Sequence, residues 1–184
     1  MSKHETKPVT TGIDAWQSTW AYAARIHSKQ TMPGSNNSYL QHLGAVTLEI
    51  LSANQVQAID NLELAIQCAM LHDTIEDQEI SHGELSSTFC TSVADGVMSL
   101  TKRTDLPKAE AMADSLTRIR QQPQAVWCVK MADRISNLSN IPEHWTDEKA
   151  AKYSREAEAI LLALGDAHPY LAERLKQRIS RYLK

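Results

Sequence analysis

The sequence changes from apolar to acidic at Cys68-Ala69-Met70-Leu71-His72-Asp73-Thr74-Ile75-Glu76-Asp77. An apolar helical run ends here in an imidazole, and three carboxylates follow within five residues. Ionised acids this close repel one another, and burying them together is unfavourable unless a cation offsets the repulsion. A divalent metal is the simplest such cation. The alternative is a solvated helix C-terminus in an acidic turn, which an isolated His-Asp pair favours because short motifs often match by chance.

The choice between a metal site and a solvated turn depends on a second apolar helical stretch. This stretch is Val126-Trp127-Cys128-Val129-Lys130-Met131-Ala132-Asp133-Arg134-Ile135-Ser136-Asn137-Leu138. Asp133 and Asn137 lie at positions i and i+4 on one helix face. An aspartate in this setting is capped, paired with Lys130 or Arg134, or bound to a metal. With a histidine upstream, the candidate metal ligands are His42, His72, Asp73 and Asp133. Two imidazoles and two carboxylates suit manganese, iron or zinc better than calcium.

These residues carry a resemblance to a known family. His42, the His72-Asp73 doublet and Asp133, in this order, resemble the signature of the HD phosphohydrolase superfamily. Segments 71–77, 93–102 and 129–138 are similar to the hydrolase domain of the RelA/SpoT proteins, and the chain length is close to that of the stand-alone small alarmone hydrolases. The resemblance implies an HD-domain fold, one Mn²⁺ ion and removal of a 3′-pyrophosphate from guanosine tetra- or pentaphosphate.

The resemblance also implies roles for single residues. Glu76 and Asp77 match a catalytic Glu-Asp pair that manages the attacking water, against the alternative of a solvated acidic turn. Substrate contacts are implied for four further side chains, each with an ordinary alternative as surface, helix-end or core residue: Arg25, Lys102, Asn137 and Tyr153. Arg25 matches an arginine that stacks on the purine.

The chain departs from the family pattern at two positions. Leu43 stands where the family usually has proline, and Ile26 stands where it often has lysine. Because isoleucine offers no hydrogen bond to a base edge, the sequence leaves the choice between guanosine and adenosine alarmones open. The 101–108 loop is flanked by three candidates for contact with polyphosphate, Lys102, Arg103 and Lys108, with a solvated basic loop as the alternative.

Composition excludes several classes of protein. The chain has 184 residues, 42% of them hydrophobic and 22% charged, which is typical of one globular domain. Its net charge of −3 creates no basic field for nucleic acid. No apolar run is long enough for a membrane span, and the N-terminus lacks a signal sequence. The three cysteines are typical of reduced thiols, so we expect a cytoplasmic protein without nucleic-acid or membrane partners. The oligomeric state stays open, with a homo-oligomer among the alternatives.

Apolar periodicity and capping residues predict eight or nine helices, and no run alternates polar and apolar residues for long enough to form a strand. Asn61 is the predicted cap of the helix that ends at His72. Ser81 and Thr146 are predicted caps of two later helices, and Pro169 is expected to begin the last one. We predict an all-α, single-domain bundle of eight to nine helices over residues 13–184, preceded by a flexible tail over residues 1–12.

The leading hypothesis is therefore a manganese-dependent hydrolase that converts guanosine alarmones to GDP or GTP and pyrophosphate. Two alternatives remain at this point. One is an HD phosphohydrolase of adenosine alarmones or of another nucleotide phosphate ester. The other is a nucleotide-binding HD module without catalysis, which the intact metal-ligand set and the Glu76-Asp77 pair disfavour.

Overall fold

A computed structural model of the protein describes residues 12–107 and 110–184. The predicted tail lies outside these residues except for Gly12, and Lys108 lies outside them as well. The described parts contain ten α-helices: α1 Ile13–Ile26, α2 Leu40–Val56, α3 Leu62–Leu71, α4 Thr74–Gln78, α5 His82–Thr88, α6 Thr91–Leu100, α7 Ala111–Arg120, α8 Gln124–Asn137, α9 Asp147–Leu164 and α10 Pro169–Tyr182. A 3-10 turn, Gly165–Ala167, joins the last two.

The all-α prediction is confirmed. Each predicted helix is present, and the additional one is α4, a helix of five residues in the acidic stretch. Over residues 12–107 and 110–184 the structure has no strand, and the closest feature is an isolated antiparallel bridge between Thr31 and Ser38. None of the described helices is long and apolar enough to cross a membrane.

Local capping explains where several helices begin. The side chains of Asn61, Ser81 and Thr146 each accept a hydrogen bond from the backbone N–H three residues later, as predicted. Pro169 occupies the first turn of α10, where its missing N–H is not needed. The N-cap of α1 is Gly12, and Asp14 lies in the first turn of this helix.

Helices α3 and α8 form the centre of the bundle. They pack against each other and both pack against α2, while α3 also contacts α1 and α6 and α8 also contacts α9 and α10. Gly96 lets α6 approach α3 closely, since a Cβ at that position would lie 2.7 Å from Cys68 Sγ. This packing places the C-terminal end of α3 against the middle of α8, where the predicted metal ligands lie.

Candidate metal centre and active-site cleft

The four predicted metal ligands come from three parts of the chain, and each histidine lies within 3.8 Å of both aspartates. His42 lies on α2, His72 ends α3, Asp73 precedes α4 and Asp133 lies on α8. The Nε2 atoms of His42 and His72 are 3.2 Å apart. Asp133 Oδ1 lies 3.4 Å from His42 Nε2 and 3.8 Å from His72 Nε2. Asp73 Oδ2 lies 2.9 Å from His72 Nε2 and 3.7 Å from His42 Nε2.

The hydrogen bonds of the two imidazoles show that this cluster fits a metal. His72 Nδ1 lies 2.9 Å from the carbonyl oxygen of Ala69, which only accepts, so Nδ1 carries a hydrogen and Nε2 is the nitrogen that could bind a metal. His42 Nδ1 is held 3.1 Å from Ser136 Oγ. Ligands bound at about 2.1 Å to one ion lie roughly 3.0 to 3.4 Å apart. One ligand atom each from His42, His72 and Asp133 falls within 4.8 Å of the others, and all three residues are buried. The donor set therefore fits a divalent cation.

Electrostatics favour positive charge at the same point. Burial disfavours the imidazolium of His72, but the carboxylates of Asp73 and Asp133 outweigh it and raise the pKa of His72 to about 9. Burial likewise opposes ionisation of Asp73, yet His72 lowers its pKa to about 2. The pKa of Asp133 is held well below its usual range, against burial, chiefly by Lys130. Both carboxylates therefore stay ionised and attract a cation.

Three further side chains hold the carboxylates in place. The Tyr39 hydroxyl donates to Asp73 Oδ2 at 2.5 Å. Asn137 Nδ2 donates to Asp133 Oδ1 at 2.5 Å, and Lys130 Nζ donates to Asp133 Oδ2 at 3.0 Å. Contacts of this kind orient metal ligands. Asn137, predicted from the resemblance as a substrate contact, is therefore also a partner of the candidate ligand Asp133.

A cleft of about 160 Å³ opens above this cluster. Every predicted site residue except His42 and Arg25 lines it. Its walls also include four residues not predicted as site residues: Tyr39, Leu100, Lys130 and Arg134. The sequence did contain a signal for Lys130 and Arg134, since these charged residues lie within the otherwise apolar α8 helix. His42 lies buried among the other ligands.

The short helix α4 explains how the acidic residues are arranged. Asp73, Glu76 and Asp77 lie at positions i, i+3 and i+4, so one helical turn places them on the same face. Asp73 faces the candidate ligands His42 and His72, while Glu76 and Asp77 are exposed in the cleft. Glu76 Oε2 accepts the backbone N–H of Lys102 at 3.0 Å. Asp77 Oδ2 accepts from the Gln30 side chain at 2.8 Å.

The structure does not bring Arg25 together with the other predicted site residues. Its exposed guanidinium stacks 4.9 Å above the ring of Tyr22, whose hydroxyl donates to Glu84 at 2.7 Å. Ile26 is partly buried against the core, so this position does not face the cleft as a base-reading residue. The reason is helical geometry, because consecutive residues on α1 point about 100° apart and the buried stripe sets which face is turned inward.

Arg134 is a buried cation in the cleft wall. It is 1% exposed, and its guanidinium lies 3.8 Å from the ring centroid of Tyr153 and 3.6 Å from Glu156 Oε2. It also donates to the carbonyl oxygen of Tyr153 at 3.3 Å. The edge of Trp145 packs on the same tyrosine ring at 5.0 Å. These contacts hold Tyr153 rigidly at the cleft.

A second cavity of about 530 Å³ adjoins the cleft and shares Glu76 and Lys102 with it. Its apolar lining is Leu106, Ala111 and Met112, and cationic side chains from Lys102, Arg103 and Lys152 surround it. The two cavities together offer room for a nucleotide whose phosphates lie near the metal cluster.

Most of the chain matches a known protein family. The family model described as HD domain matches residues 19–169. The chain belongs to the HD domain family. Membership in this family and the His42–His72–Asp133 cluster both point to a divalent metal as the cofactor. The resemblance and the fold class inferred from the sequence are thereby confirmed.

Relatives within the family resemble most of the chain. It is 27% identical over 161 residues to guanosine-3′,5′-bis(diphosphate) 3′-pyrophosphohydrolase MESH1 of Danio rerio, covering 85% of this chain and 87% of that one. It is 29% identical over 183 residues to GTP pyrophosphokinase of Myxococcus xanthus, covering 94% of this chain but 23% of that protein. A solved structure described as a metazoan ortholog of SpoT that hydrolyses ppGpp matches with a TM-score of 0.80 and 25% identity, over 95% of this chain and 99% of that one.

Proposed function

We propose that the protein is a metal-dependent hydrolase that removes the 3′-pyrophosphate of ppGpp or pppGpp, giving GDP or GTP and pyrophosphate. The observation that carries this proposal is the placement of Glu76 and Asp77 on the same helical face as Asp73, beside the His-His-Asp cluster. Relatives named as 3′-pyrophosphohydrolases of guanosine bis(diphosphate) are similar over most of their length, which supports the same substrate class.

The proposed cofactor is one Mn²⁺ ion held by His42, His72, Asp73 and Asp133, with iron or zinc as the alternatives. A mixed set of imidazole and carboxylate ligands suits these borderline metals. When bound, such an ion polarises a phosphoryl oxygen and lowers the pKa of water. The side chains of Lys130, Asn137 and Tyr39 keep the carboxylate ligands oriented, as their hydrogen bonds of 2.5 to 3.0 Å indicate.

Glu76 and Asp77 are the proposed catalytic residues. Water adds its oxygen to the phosphorus nearest the ribose, and the bond from that phosphorus to the ribose 3′ oxygen breaks. One carboxylate takes a proton from the attacking water, and that proton passes to the 3′ oxygen as GDP or GTP leaves. Both carboxylates are exposed in the cleft, and each accepts one hydrogen bond, from Lys102 N–H or from Gln30. Among the described residues, the second oxygen of each carboxylate has no hydrogen-bond donor, so it is available for this task.

Proposed substrate contacts are Lys102, Asn137 and Tyr153, which line the cleft. The net charge of −3 does not attract a polyphosphate, so local cations must do so. Lys102 and Lys130 line the cleft, and Arg103 and Lys152 line the adjoining cavity. We propose that residues 13–184 form one HD hydrolase domain and that its partner is a small-molecule nucleotide. The cytoplasmic location and a homo-oligomer stay predictions.

One experiment tests the proposal against its alternatives. Manganese-loaded protein is incubated with ppGpp, pppGpp, their adenosine counterparts and other nucleotide phosphate esters, and the products are separated by ion exchange. We expect GDP or GTP with pyrophosphate from the guanosine alarmones. Turnover of the adenosine compounds alone would reassign the substrate. Binding without turnover of any compound would identify a nucleotide-binding module.

A further inference from the structure

Gln30 lies just after α1 and reaches one of the proposed catalytic residues. Its side-chain Nε2 donates to Asp77 Oδ2 at 2.8 Å. Its Oε1 lies 2.6 Å from His27 Nδ1 and accepts from Gln78 Nε2 at 2.7 Å. One amide group therefore connects the end of α1 with two residues of α4.

The chemistry of the neighbours sets the orientation of this amide. The carboxylate of Asp77 only accepts hydrogen bonds, so the NH₂ group of Gln30 must face it. With that NH₂ group at Asp77, the carbonyl oxygen of Gln30 lies on the other side and accepts from Gln78 Nε2. His27 then carries its hydrogen on Nδ1, and its buried Nε2 has no hydrogen-bond partner among the described residues. The three contacts agree with a single orientation of the amide.

The backbone around Gln30 is held as firmly as its side chain. Gln30 N donates to His27 O at 3.0 Å, and Tyr39 N donates to Gln30 O at 3.0 Å. The bridge between Thr31 and Ser38 closes the loop between these two residues. Gln30 and Tyr39 thus lie side by side at the base of one loop, and Tyr39 holds Asp73 as Gln30 holds Asp77.

We infer that Gln30 is a positioning residue that orients the Asp77 carboxylate for proton transfer at the cleft. Asp77 is exposed on a helix of only five residues, and without a partner its side chain samples several rotamers. A fixed donor at 2.8 Å removes that freedom and leaves the other carboxylate oxygen for the reacting water. The inference rests on the proposed catalytic role of Asp77.

A double-mutant cycle separates positioning from simple stabilisation of the fold. Gln30→Ala, Asp77→Asn and the double variant are assayed for kcat, KM and metal affinity, together with thermal unfolding. Gln55→Ala on α2 is the matched control, since Gln55 is exposed and makes no side-chain hydrogen bond within the described residues. We expect Gln30→Ala to lower kcat by about 10- to 100-fold with KM and metal affinity nearly unchanged. In the Asp77→Asn background the same change should lower kcat by less than about threefold, because the partner is already inactive.

Gln30→Glu keeps the shape of the side chain but replaces the donor by an acid. It should lose at least as much kcat as Gln30→Ala, since a carboxylate cannot donate to Asp77. Full activity of Gln30→Glu, or losses that multiply in the double variant, would overturn the inference.

A spectroscopic readout does not depend on turnover. In a ¹H–¹⁵N spectrum, the side-chain amide signal of Gln30, identified by its loss in Gln30→Ala, should shift in Asp77→Asn and stay unmoved in Gln55→Ala. An unmoved signal in Asp77→Asn would overturn the contact itself. If the wild-type protein has no hydrolase activity but the Gln30 signal still shifts in Asp77→Asn, the proposed function is refuted and the contact stands.

Discussion

Lys130→Met tests how the charges of the metal centre balance. Lys130 Nζ lies 3.0 Å from Asp133 Oδ2, and the two side chains are only 7% and 11% exposed. At this distance and an effective dielectric constant of about 20, the attraction is about 5 kcal/mol. Removing one partner of a buried pair costs about 3 to 5 kcal/mol. Asn137 still donates to Asp133, so we expect the lower value, about 3 kcal/mol, in chelator-treated protein.

The same substitution should have a smaller effect when the metal is bound. A divalent cation then compensates Asp133, and Lys130 repels that cation, so the loss of stability should fall to about 1 kcal/mol. Thermodynamic linkage converts the difference of about 2 kcal/mol into metal affinity that is about 30-fold higher in Lys130→Met.

Two measurements check this prediction. Denaturant unfolding with chelator and with Mn²⁺ gives the two stabilities, and isothermal titration with Mn²⁺ gives the affinity. Lys176→Met, on an exposed position of α10, is the control and should change neither. Equal stability of Lys130→Met and wild type in chelator, or weaker metal binding by the variant, would refute the assigned role of the ion pair.

Five other substitutions address the metal, the chemistry and the substrate in turn. The variants His72→Ala and Asp133→Ala should stay folded by circular dichroism, because the helices have their own core, but they should lose manganese binding in titration and lose turnover. Activity that is retained after exhaustive chelation would contradict this prediction. Glu76→Gln and Asp77→Asn should keep metal and substrate binding while kcat falls by about 100-fold or more, and unchanged kcat in both would exclude a carboxylate base. Arg25→Ala should change KM by less than about threefold, since its side chain lies over Tyr22 rather than in the cleft; a rise of tenfold or more would restore the stacking role implied by the family resemblance.

Patterns local in the sequence predicted much of this protein. The apolar repeat of each helix and the caps at Asn61, Ser81 and Thr146 depend on neighbours within about one turn, so they are visible without a fold. The His72-Asp73 doublet likewise combines an apolar helix with a cluster of acids, a combination that requires a cation wherever it is buried. The metal-ligand set follows from these patterns and the family resemblance, and its members do meet in the structure.

The direction in which each residue points around its helix explains two features that local patterns did not predict. The acidic stretch 74–78 was not among the predicted helices, yet it is helical, and only as a helix does it align Glu76 and Asp77 with Asp73. Arg25 matched a family residue by type, but the phase of α1 directs it to Tyr22.

The partners of the site residues depended on tertiary packing. Gln30 and Asp77 are 47 positions apart, and Tyr39 and Asp73 are 34 apart, so no periodicity relates them. Their hydrogen bonds exist because α1, α2 and α4 meet at one end of α3, which the summed burial of many apolar side chains decides. A residue's chemistry is therefore visible in the chain, whereas the partner that orients it is set by the angle at which two helices pack.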